Sequence, residues 1–225
     1  MNRKTRIMAL SAALAGVMTA GGMAAYFTDA DTQTNTFTVG KISLDLQEPG
    51  WDAANAVNVT PNQVISKDPQ IKNDGINTEF VFMEVTVPYA NVETAADNGV
   101  RIPAADTELF YYTVNSGWTE IGMEKDTESM TVTHRYVYGT ETSCTELAAG
   151  TVTPSLFDTV TVANVIEDQN LEETTQNILV HAYGIQSEHI GADDKTAPDE
   201  VWSVIANQAP SKEKPAEDAN TDIIS

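Results

Sequence analysis

Apolar and polar residues alternate with a period of two along most of this chain, the pattern of strands with one dry and one wet face. The clearest case runs from Phe80 to Val87. Val81, Met83, Val85 and Val87 share one face; Phe80 and Phe82 begin the other, which Glu84 and Thr86 then make polar. Pro88 has no backbone N–H and is expected to end this strand. Upstream, Phe37 and Val39 alternate with threonines, and Ile42, Leu44 and Leu46 alternate with Ser43 and Asp45. The phase slips at Gly40-Lys41, which predicts a bulge.

The remaining pattern is a succession of short strands between turn signals. Gln47 to Asn58 reads as a turn-rich connector, with Pro49, Gly50 and Trp51. Val64, Ile65 and Ile71 mark a short strand broken at Asp68-Pro69, and Asn73-Asp74-Gly75 is a turn. Asn91 to Asp106 reads as a loop with a tight turn at Asp97-Asn98-Gly99. Leu109 to Val114 and Trp118 to Met123, joined by Asn115-Ser116-Gly117, read as a hairpin. Further strands are expected over Met130 to Tyr138, Leu156 to Val165 and Ile178 to Ile185, with a long connection from Glu141 to Pro154. One helix opens at Thr196-Ala197-Pro198-Asp199, with Val201, Trp202, Val204 and Ile205 as its apolar stripe. Eight or nine short strands and one terminal helix specify an all-β sandwich.

The two ends differ from this pattern. Residues 1–25 have the three parts of an export signal: basic Arg3, Lys4 and Arg6, an apolar run from Ile7 to about Thr19, then small residues at Gly21, Gly22, Ala24 and Ala25. The rival reading is an uncleaved anchor, but the apolar run is short for a membrane span. Residues 26–208 form the β domain. Residues 209–225 are rich in Pro, Ala and charge and read as a disordered tail without a covalent wall-sorting motif.

Charge narrows the partners. The chain of 225 residues has 33 acids against 12 Lys and Arg, a net charge of −21 that deepens when Arg3, Lys4 and Arg6 leave with the leader. Such a surface repels nucleic acid and anionic membranes. It suits a medium rich in divalent cations. Cys144 is the single cysteine, so no intrachain disulfide forms, and Thr142, Ser143 and Thr145 around it supply no activating base.

The leader ending in Ala-Tyr-Phe-Thr-Asp, the stretch TFTVGKISLDL, and SKDPQIKNDG followed by an aromatic-Val strand resemble the TasA/camelysin family of surface and biofilm-matrix proteins of Gram-positive bacteria. The HRYVYGTETSCTELAAGTVTPSLFDTVTV block and the VHAYGIQ strand resemble clostridial-type members. The resemblance implies a jelly-roll type of sandwich, cleavage by a dedicated signal peptidase of the SipW type at Ala24, Ala25 and Tyr26, and no membrane span after cleavage. It also implies self-association into extracellular fibres or, alternatively, camelysin-like metalloendopeptidase activity. A monomeric wall-associated adhesin is a third reading.

Catalytic patterns are missing. No His-Glu-x-x-His pair exists for zinc, and no Gly-x-Ser-x-Gly for a nucleophile. His134, His181 and His189 read as structural or surface residues. Asp29-Ala30-Asp31 and Asp193-Asp194 could each contribute to calcium binding but read as solvated turns, so no cofactor is expected. Tyr111, Tyr112, Trp118, Tyr136 and Tyr138 read as packing rather than a carbohydrate platform. The freed N-terminal segment, Tyr26 to about Thr38, has no Pro or Gly. With Phe27, Phe37 and Val39 as anchors, it is the candidate donor strand for subunit-to-subunit addition; the alternative is that it folds back into its own sheet.

The leader yields the first testable outcome. Exported protein should begin within about two residues of Tyr26. N-terminal sequencing that returns Met1, or a product that stays with membranes through high-salt washing, would refute cleavage.

Overall fold

The computed structural model describes residues 42–169, 171, 174–190 and 195–208. Ten strands lie among them: β1 (Leu44–Gln47), β2 (Val64–Ser66), β3 (Gln70–Asn73), β4 (Glu79–Ala95), β5 (Arg101–Glu108), β6 (Phe110–Tyr111), β7 (Trp118–Asp126), β8 (Thr131–Tyr138), β9 (Thr159–Val162) and β10 (Leu179–Gln186). A 3-10 turn at Ala53–Ala56 follows β1, and helix α1 (Pro198–Gln208) follows β10. The larger sheet has the order β10-β4-β8-β7, with β5 also pairing β4. Strands β2-β9-β6 form a second sheet and β1-β3 a third, and every pairing is antiparallel. The fold is an all-β sandwich with a short C-terminal helix.

Alternation along β4 sorts its side chains between two apolar layers. Val81, Met83, Val85 and Val87 are all fully buried on the inner face. They pack with Ile65 and Ile71 of β2 and β3, Phe110 of β6, Trp118 and Tyr136 of β7 and β8, and Val160 of β9. Each such side chain contributes about 1.5–3 kcal/mol through burial. The outer face carries Phe80 and Phe82, which pack with Val137, Ile185, Ile190 and the Val201 and Ile205 stripe of α1. The helix lies on the sheet face that the alternation marks as becoming polar at Glu84.

That cover corrects the expectation of a wet Glu84, which is only 3% exposed. Its carboxylate accepts from Arg135 Nη2 at 2.8 Å and from the Tyr183 hydroxyl at 2.9 Å. Trp202 of α1 closes over this group: the Arg135 guanidinium lies 4.1 Å from its ring centroid, and the Tyr183 ring meets it edge-on. Burial, then the bond to Glu84, pushes the Tyr183 phenol up to about 12. A buried carboxylate is tolerable only with such partners.

Four further expectations change. Pro88 does not end its strand; β4 continues to Ala95. Pro88 lies where pairing with β8 gives way to pairing with β5, at Pro88↔Thr131 and Tyr89↔Glu108, and its carbonyl accepts from Leu109 N–H at 2.9 Å. The missing donor therefore falls at a change of partner. The expected loop over Asn91 to Asp106 is instead the β4–β5 hairpin, although its turn is at the expected place, closed by Gly99 N–H to the Ala96 carbonyl. The expected hairpin between Leu109 and Met123 does not form. β6 pairs β9 and β7 pairs β8, in different sheets, and Asn115 ties the crossing to the 155–158 segment through Ser155, Leu156 and Asp158. The Leu156 to Val165 strand shortens to β9, because Leu156 and Phe157 turn fully into the core before pairing starts.

Gly139, after β8, has φ +146, and a Cβ there would run into the Ser143 carbonyl and Cys144 backbone. Only glycine permits the chain to fold back so closely. The Cys144 N–H then reaches the Thr196 carbonyl at 2.8 Å, tying the approach to α1 to this corner.

Glu84→Ala should lower unfolding stability by about 3 kcal/mol, because it strands the Arg135 guanidinium beneath Trp202. Urea denaturation checks this. Adding Trp202→Ala should cost less than the tryptophan change alone, since the two act as one unit.

Candidate functional site

The residues assigned to cleavage (Ala24, Ala25 and Tyr26) and to strand donation (Phe27, Phe37 and Val39) lie outside the described residues. So do the Gly40-Lys41 bulge, the acidic pairs at Asp29-Asp31 and Asp193-Asp194, and the tail.

The histidines do not converge. His134 pairs with Val85 across β8 and β4, which puts it on the inner face. His181 pairs with Glu84 across β10 and β4, which puts it on the outer face, two strands away. One ion cannot bind both. His189 follows β10 in an exposed turn at φ +59. Among the described residues no group of three or more His, Cys, Asp or Glu side chains is placed to hold a metal. The donor set present there does not fit the zinc that a metallopeptidase would need. Cys144 is buried, and burial pushes its thiol up to about 12, so it is a packing residue and not a nucleophile.

The aromatic residues are packing groups as well. Tyr136 and Trp118 are buried. Tyr112 stacks on Phe157 at 4.3 Å and shares a hydroxyl hydrogen bond with Tyr136 at 2.9 Å. Tyr138 leans on Trp118 at 5.5 Å. Of the five, Tyr111 alone is exposed, at the rim of an open cleft of about 390 Å³. There Lys125 already lies over Tyr89 and pairs with Asp106 at 2.7 Å, so the cleft's charges satisfy one another.

The open strand edges differ in how well they are guarded against an added strand. β2 has three residues and β6 two. β5 carries Pro103 together with Arg101, Asp106 and Glu108. β7 carries Glu120, Glu124, Lys125 and Asp126, and a register shift between Glu120 and Gly122 bends it. β10 has none of these devices. Its eight residues, LVHAYGIQ, include no proline and no Asp, Glu, Lys or Arg, and it pairs with β4 in unbroken register. Among the described residues nothing pairs with its other edge. Leu179 is 53% exposed and His181 is exposed at the open end. Charge, proline and length along each strand were all readable in the sequence. Which strands were edges was not.

His134 makes the sheet's corner sensitive to pH. Its Nε2 meets Glu108 at 3.0 Å and its Nδ1 meets Glu120 at 2.9 Å, and both nitrogens donate only in the protonated ring. The bond to Glu108 raises its pKa above the ordinary value against opposing burial, and Glu120 adds to the rise. A raised folded-state value means that the stabilisation is complete below the unfolded value of about 6.5 and is lost as pH rises through the folded value. Thermal melts of wild type and His134→Gln should therefore differ most at about pH 6 and converge by about pH 9.

Neither a curated protein nor a solved structure matches the chain. A family model does: residues 1–103 match that of the camelysin metallo-endopeptidase family. The matched part runs from Met1 through β4 into β5 and includes the SKDPQIKNDG step and the two-sided strand after it. The likeness to that family covers a little under half of the chain.

Proposed function

We propose that this protein is a secreted structural subunit of extracellular fibres, joined by strand addition between copies. The observation that carries the reading is the β10 edge: eight residues, regular, without Asp, Glu, Lys, Arg or proline, on a body whose other described free edges are short, bent, proline-bearing or charged. Backbone N–H and C=O groups along such an edge favour an incoming strand. The segment from Tyr26 to about Thr38 becomes a free terminus only once the leader is removed, so assembly would wait for export. A head-to-tail contact of this kind repeats without closing and makes filaments.

The description of the matched family supports a second reading, a cell-surface metalloendopeptidase. The two separate cleanly. Casein cleavage that needs zinc, stops with chelator and survives repurification would establish the peptidase and overturn the purely structural role.

Two variants test the fibre reading. Deletion of Tyr26 to Thr36 behind an intact cleavage site should give folded monomers that do not polymerise. Leu179→Lys with His181→Lys places charge on the acceptor edge and should have the same effect, with an unchanged circular dichroism spectrum. Normal filaments by negative stain from either protein would overturn the assigned donor or acceptor.

A further inference from the structure

A second carboxylate is buried in this sandwich, and it is not paired as Glu84 is. Glu79 opens β4 on the inner face, in phase with Val81, and is 0% exposed. One oxygen, Oε1, accepts from the Ser43 backbone N–H at 3.3 Å. The other, Oε2, has no hydrogen-bond partner among the described residues. Diagonally from it on β10, opposite Val81, sits Gly184, where a Cβ would lie 2.7 Å from Leu44 Cδ1 and 3.2 Å from Glu79 Oε2. The missing side chain at Gly184 is what lets Leu44 and the carboxyl occupy the same corner. The lid over Glu79 is therefore the start of β1: the Ser43 amide and the Leu44 side chain.

β1 is weakly held elsewhere. It has four residues and among the described strands pairs only with β3, and Ile42 and Leu46 to either side of Leu44 are 44% and 36% exposed. We propose that Glu79 is a proton-operated latch for β1: the neutral carboxyl lets β1 close over it, and the ionised carboxylate drives β1 open to reach water. A carboxylate with one weak donor and one orphan oxygen is costly in a dry site, and opening β1 is the shortest route to hydration.

Among the described residues, the charged neighbours do not supply a counter-ion. β1 offers Asp45, β3 offers Lys72, the turn after it offers Asp74, β10 offers His181 and Tyr183, and the segment at Leu147 offers Glu146. Asp45, Asp74, His181 and Glu146 are exposed. Lys72 is taken by Asp74 at 2.7 Å. Tyr183 bonds to Glu84 on the opposite face of the sheet. Burial accordingly raises the Glu79 pKa, with only the Ser43 amide opposing it. A carboxyl raised on folding favours the closed form below its ordinary value, and that advantage falls as pH rises toward the folded value. This runs opposite to the usual salt-bridged acid.

The latch concerns closure of β1 within one copy and stands whether or not copies assemble. Hydrogen exchange of the full chain tests it, followed by mass spectrometry of peptides spanning Leu44–Gln47 and corrected for the intrinsic pH dependence of exchange. In wild type, the open fraction of β1 should rise up to about tenfold per pH unit between the ordinary and folded values, while β8 stays unchanged. In Glu79→Gln the β1 opening should be flat with pH. A pH-independent β1 in wild type overturns the latch, as does a dependence that survives in Glu79→Gln. Should that variant not fold, carboxyl NMR of wild type decides: titration of Glu79 above the ordinary glutamate value supports the latch, and titration at or below it overturns it.

Discussion

The need to keep one strand dry on both faces organises this molecule. β4 sits inside the larger sheet between β10 and β8 and sends valines inward and phenylalanines outward. An inward face alone would need only the small sheets opposite. Two apolar faces need two covers, and the second is α1. Once the helix is there, every polar side chain on the outer face must find a partner beneath it. Glu84, Arg135, Tyr183 and Trp202 are that partnership: a carboxylate, a guanidinium and a phenol that donate to it, and an aromatic ring over them. The terminal helix is thus part of the core of the sandwich and not an appendage to it.

Elements whose causes are local were legible in the sequence. β8, β10 and α1 begin and end close to where alternation, turn residues and first-turn acids put them. The break at Asp68-Pro69 was visible too, and it proves to be where the chain passes from β2 in one sheet to β3 in another. Partners were not legible. Asn115-Ser116-Gly117 is a genuine turn, with Gly117 at φ +96, yet it joins two sheets instead of two neighbours. A turn sets the direction of the chain; the side chains on either side decide what it pairs with. Likewise Pro88 terminates a strand only if a ladder partner needs its N–H, and at a change of partner none does.

The same limit explains the functional residues. Glu84 and Glu79 look alike in sequence, each an acid within or beside an apolar run. Long-range contacts give them opposite circumstances: two donors with an aromatic lid for one, a single amide and an orphan oxygen for the other. Residues distant in sequence supply these surroundings, Tyr183 and Trp202 for Glu84, and Ser43 and Gly184 for Glu79. Gly184 carries the one local hint, since a glycine inside a strand pattern marks close approach by another group.

Net charge constrains how copies of such a chain can meet. At −21, two surfaces repel over roughly a Debye length, about 8 Å at physiological salt. Side-chain complementarity of opposite sign is scarce, because 12 Lys and Arg face 33 acids and several of those bases are already paired within the fold. A contact made of main-chain hydrogen bonds avoids this shortage, since every residue other than proline carries a donor and an acceptor whatever its side chain. It requires an edge that brings no carboxylates of its own into the joint. Among the longer free edges described here, β5 and β7 place acids in the joint and β10 does not. On the fibre reading proposed above, the acidic surface would keep copies apart at random approach, and the acid-free β10 edge would leave one direction in which they could join.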